Sequence, residues 1–163
     1  MTGIYSRILD GLDRAARWAI IAACAVMIAI VAAQVGLRYG FNSSIDWSEE
    51  ISRLLFVWTM FLAIPLGIRE GAHVGIELLL AHIPGAARAA LAKACAVAGA
   101  AVMAVVLWQA IVVAALTWDE MMQSVNLSTN WFMVPVAIAA AHSLLHFIQL
   151  LWRQPLRTVR AVE

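Results

Sequence analysis

Charge is scarce in this chain. Asp, Glu, Lys and Arg make up 13% of its 163 residues, against 64% hydrophobic, whereas a soluble domain carries about 25%. With a mean hydropathy of +0.87, this excludes a solvated globular surface. A net charge of +1, with basic residues scattered singly, excludes a basic face for nucleic acid. Cysteine is almost absent, and Cys24 and Cys95 both fall inside apolar runs, where they read as inert thiols rather than a disulfide. Acidic residues are missing from the interiors of those runs, and the two halves of the chain do not resemble each other. The intramembrane carboxylates, Gly/Pro-broken helices and inverted repeats that carriers use are therefore not in evidence.

What is present is apolar sequence, parsed by its few charges. An ionised side chain is costly in hydrocarbon, and a helix needs about 20 apolar residues to cross it. Trp18 to Leu37 supplies about 20, one bilayer core at 1.5 Å per residue. Leu54 to Ile68 supplies about 15, enough if the turns from Trp47 to Arg53 begin in the headgroup layer. Ala94 to Trp118 and Trp131 to Trp152 complete the set. The expected fold is all-α: an integral membrane protein with four transmembrane helices, at about 16–38, 47–69, 93–118 and 131–152 of a single domain, 1–163. The basic start resembles a signal peptide, but its apolar run is longer than an h-region and reads as a retained first helix. No room remains for a nucleotide fold or a globular catalytic unit, so no enzyme is expected.

The basic residues set an orientation. Arg7, Arg14 and Arg17 precede the first span, Arg69, Arg88 and Lys93 fall between the second and third, and Arg153, Arg157 and Arg160 follow the fourth. Only Arg38 and Arg53 lie between the first and second, and none between the third and fourth. The positive-inside rule places both termini in the cytoplasm and the segment holding Glu49 and Glu50 outside.

Polar groups near span ends are the candidate functional residues. In "IDWSEEISRLLFVW", Trp47, Ile51, Leu54 or Leu55, and Trp58 form an apolar stripe, giving the second helix an interfacial amphipathic start. Glu49 and Glu50 are spaced for ion pairs with Arg53, and Asp46 or Ser48 is placed to cap the helix. Carboxylates and an arginine beside a tryptophan suit charge-assisted bonds to another membrane subunit or to lipid headgroups. Farther on, Arg69, His73 and Glu77 share one helical face. A salt-bridged interface explains that spacing as well as a metal does, and no ligand-dense cluster accompanies it, so neither metal nor cofactor is expected. His142 and His146, one turn apart in the fourth span, read as neutral imidazoles bonded to neighbouring helices. Pro65 leaves the carbonyl of Phe61 without its helical partner and predicts a kink.

Over "RYGFNSSIDWSEEISRLLFVWTMFLAIPLGIREGAHVGIELLLAHIP", Arg38 to Pro84, the chain resembles the small membrane subunit of tripartite ATP-independent periplasmic (TRAP) transporters. The elements carrying the resemblance are the aromatic and basic end of the first helix, Trp47, Glu49, Glu50, Arg53, Trp58, then Arg69 and His73. Where that family often has an acidic residue following the histidine, this chain has Glu77 four residues on. The resemblance implies a bacterial or archaeal inner-membrane protein paired with a large multi-span permease and a periplasmic solute-binding protein. It implies a scaffold for secondary uptake of small organic acid anions with coupling ions, with Trp47, Glu49, Glu50, Arg53, Arg69 and His73 at a subunit or phospholipid interface. Two other readings compete: a redox anchor holding b-type haem through His142 or His146 and a histidine from the segment between the second and third spans, His73 or His82, and a self-contained small transporter or channel.

Overall fold

The computed structural model describes residues 2–70 and 85–152. Four helices dominate them: α1 (Thr2–Phe41), α2 (Ser48–Arg69), α3 (Gly85–Leu116) and α4 (Met133–Trp152), the last entered through a 3-10 turn at Thr129–Phe132. Each is long and apolar enough to cross a membrane. Glu77 and His73, and the expected helical face they share with Arg69, lie outside the described residues apart from Arg69 itself.

At 40 residues, α1 is about 60 Å long, twice the thickness of a hydrocarbon core. The apolar run expected over 16–38 is the later part of a continuous helix that begins at Thr2. The helix stops at Asn42, which takes φ 50°, the left-handed conformation that Asn tolerates after a helix end.

α2 begins differently from expectation. Neither Asp46 nor Ser48 caps it: Trp47 occupies the N-cap position without a side-chain cap bond, and the Ser48 hydroxyl donates backwards to the carbonyl of Ile45 at 2.7 Å. The helix continues through Pro65, whose side chain is fully buried.

Packing sets the helices in a row. α2 and α4 pack on each other in the middle, α1 lies against α2, and α3 lies against α4, with much less contact between α1 and α4. The small-residue stretch "AVAGAAVMA" marks a close approach whose partner the sequence leaves open; the partner is α4. A Cβ on Gly99 would sit 2.5 Å from Cζ of Phe147, so only glycine admits that ring. Between α2 and the 3-10 turn that enters α4, Trp58 donates its indole N–H to the carbonyl of Trp131 at 3.1 Å, and the two rings lie 6.3 Å apart. The outward sides of α1 and α3 carry exposed apolar residues, among them Trp18, Ile28, Val105 and Trp108, as lipid or another apolar helix requires.

Candidate functional site

The polar side chains gather at the two ends of the helix row. At one end, Glu50 projects from the first turn of α2 under the 117–128 loop. Its Oε1 accepts the N–H of Gln123 at 2.8 Å and its Oε2 that of Ser124 at 2.7 Å, which leaves Glu50 only 8% exposed. The loop is closed by its own backbone: Met122 N–H donates to Leu127 at 2.9 Å and Thr129 N–H to Glu120 at 2.8 Å. Asn130 is buried behind it and donates its amide to the carbonyl of Ala114 at 2.8 Å. Gln34 of α1 joins this end by accepting the N–H of Ile45 at 2.9 Å.

The ion pairs for which Glu49, Glu50 and Arg53 are spaced do not form among the described residues. Glu50 is committed to two loop amides, and the Arg53 guanidinium lies over the ring of Phe132, 5.7 Å from its centroid, a cation–π contact. Glu49, Arg53 and Trp47 are all exposed.

The other end holds a denser constellation. Asp13, on the early turns of α1, is 2% exposed. Arg69, at the end of α2, donates to its Oδ2 and to Oδ1 of Asp10 at 2.6 Å. The Nε2 atoms of His142 and His146, both on α4, each lie 2.9 Å from Oδ1 of Asp13. Only His146 meets it in hydrogen-bonding geometry; His142 Nε2 is buried with no hydrogen-bond partner. Nearby, the hydroxyl of Tyr5 donates to the carbonyl of Leu145 at 2.7 Å, and its ring centroid lies 5.8 Å from that of Trp152, the two planes tilted by 50°. A cavity of about 380 Å³ opens beside the cluster, bordered by Ser6, Asp10, Asp13, Arg69, His146 and Gln149.

Of the residues singled out in the sequence, the structure thus brings Trp47, Glu49, Glu50 and Arg53 together at one end and sets Arg69 at the other, in an internal ion pair. Asp10 and Asp13 were not singled out. A signal for Asp13 is present: Leu9, Asp13 and Ala16 are buried and follow the i, i+4, i+7 spacing of one helical stripe, so the acid stands on an inward-facing line.

Comparison with known proteins decides the family. Residues 27–157 match the family model described as tripartite ATP-independent periplasmic transporters, DctQ component. The chain belongs to the DctQ family. Two DctQ-type relatives are proteins of Haemophilus influenzae, both called putative TRAP transporter small permease protein. One is 26% identical over 136 residues, 83% of this chain and 82% of that protein. The other is 47% identical over 60 residues, and the match spans only 37% of each chain. The sialic acid TRAP transporter permease protein SiaT of Haemophilus influenzae is 40% identical over 55 residues, 34% of this chain and 9% of SiaT. A DctQ-family chain with four spanning helices is a multi-pass inner-membrane protein. This family membership does not favour the haem reading.

Proposed function

We propose that this chain is the scaffold subunit of a TRAP-type secondary transporter that takes up small organic acid anions with coupling ions. The observation that carries the reading is the DctQ match over residues 27–157 on a row of four spanning helices. No Asp, Glu, Lys or Arg lies in Leu54–Ile68, Ala94–Trp118 or Trp131–Trp152. Such a unit has no evident ion path of its own, so substrate and coupling ion pass through a large permease that it holds in place. The name of SiaT, whose chain contains a stretch similar to this one, supports that partner and a carboxylate substrate class.

In this reading both termini face the cytoplasm, and the Glu50 end faces the periplasm. Exposed Trp47, Glu49 and Arg53 contact the permease, a headgroup of bound phospholipid or the docked solute-binding protein, while Glu50 fixes the loop beneath them. Arg69 and His73 serve the cytoplasmic end of the same subunit. The apolar outer sides of α1 and α3 meet the permease helices and lipid.

The test is purification of the chain in mild detergent from cells that express its permease, followed by reconstitution with and without that partner. Equal amounts of both chains, with uptake of an organic anion only when both are in the liposome and the solute-binding protein is supplied, are expected. Uptake by this chain alone, or its recovery with a flavin or iron–sulfur subunit in a coloured sample, would overturn the reading.

A further inference from the structure

We propose that Asp13, His142 and His146 form a site for a first-row divalent cation of the Zn²⁺ type, which ties α1 to α4. Their three ligand atoms, one Oδ1 and two Nε2, lie within 4.8 Å of one another, and every one of the side chains is more than nine-tenths buried. The two histidines stand one turn apart on a single face of α4, and the carboxylate reaches them from α1. Two imidazoles and a carboxylate form a donor set suited to Zn²⁺ and its neighbours rather than to Mg²⁺ or Ca²⁺, which take oxygen ligands.

An independent observation points to a ligand. Nε2 of His142 is buried and has no hydrogen-bond partner, although it lies 2.9 Å from Asp13 Oδ1. The shared oxygen satisfies His146 and leaves His142 unanswered. A cation among the three atoms uses both imidazole lone pairs and the carboxylate charge at once. Arg69 takes the other oxygen, Oδ2, and so orients the carboxylate as an outer-shell partner does while leaving Oδ1 free. Metal–nitrogen bonds of about 2.0–2.1 Å require the 2.9 Å contacts to open by a few tenths of an ångström, within the reach of small side-chain rotations. The adjoining cavity, which touches Asp13 and His146, provides an entry route and space for a water as a further ligand. Because α1 and α4 otherwise pack so little on each other, the ion would join helices that the apolar contacts leave loosely connected.

The experiment uses the full chain in detergent, purified through a tag without histidines, stripped with a chelator and titrated with Zn²⁺ and Co²⁺. One Co²⁺ per chain is expected, with the visible ligand-field bands of a four- or five-coordinate site, and Zn²⁺ should displace it. His142→Ala and His146→Ala, checked for folding by circular dichroism and elution volume, should each weaken binding by more than the roughly 10- to 100-fold typical of an outer-shell change. Should either variant fail to fold, X-ray absorption of the Zn²⁺-loaded wild-type chain, showing two imidazoles in the first coordination shell, keeps the test open. Wild-type protein that holds no more metal than the double variant, or that gives only the spectrum of hydrated Co²⁺, overturns the proposal.

Discussion

A carboxylate as buried as Asp13 is tolerable only when its oxygens are answered, and here one is met by Arg69 and the other by the imidazole of His146. Removing it leaves the buried His146 ring without its partner and takes from Arg69 one of its two carboxylates. Asp13→Ala should therefore destabilise the protein by about 3 kcal/mol, the scale for breaking a buried pair from one side. Arg69→Gln should cost less, because the arginine is 42% exposed and keeps access to water. Thermal unfolding in detergent, followed through the thiols of Cys24 and Cys95, measures both; an unchanged midpoint for Asp13→Ala would remove the cluster from the list of what holds the helices together. These residues also mark how far sequence alone reaches. Glu50, Arg53 and Arg69 drew notice because charge at the edge of an apolar run is conspicuous. Asp13 hid among other charges, and its partner His146 lies 133 positions away, beyond anything that local spacing can report.

For the elements, the spacing of charges located the four apolar runs, since hydrocarbon penalises ions strongly. It did not show that α1 starts at Thr2, because charges end a membrane span without ending a helix. Nor could it name the neighbour of Gly99, which only three-dimensional packing supplies. Gly99→Ala puts a methyl against the Phe147 ring and should destabilise by about 1–3 kcal/mol, the usual range for overpacking. Pairing it with Phe147→Leu should recover part of that loss, and simple additivity in a double-mutant cycle would argue against the contact. At the opposite end, Glu50→Gln replaces a charged acceptor of two amides with a neutral one. Faster hydrogen exchange at Gln123 and Ser124 is expected, along with easier proteolysis within 117–128, while the helices keep their protection. If those amides exchange as slowly as before, the loop is held by its own hydrogen bonds alone.

For the molecule as a whole, the exposed trio of Trp47, Glu49 and Arg53 and the buried Glu50 beside them should behave differently. Inverting the exposed charges through Glu49→Lys and Arg53→Glu should reduce co-purification of the permease while lowering the stability of the isolated chain by no more than the ~1 kcal/mol of the Arg53–Phe132 cation–π contact. The Glu50 variant should lose stability first. Full assembly and normal uptake by the inverted pair would place the permease contact elsewhere, on the apolar sides of α1 and α3.

The order in space, α1, α2, α4, α3, differs from the order along the chain, and this bears on how the protein is made. α1 and α2 can pair as soon as both have left the ribosome, but α3 packs chiefly on α4, which is synthesised after it. At about 5–20 residues per second, α3 waits some seconds in the bilayer as a solitary helix, its glycine notch open to lipid. The α4 segment packs on both α2 and α3, so neither of those seams can close until the last described helix has been synthesised.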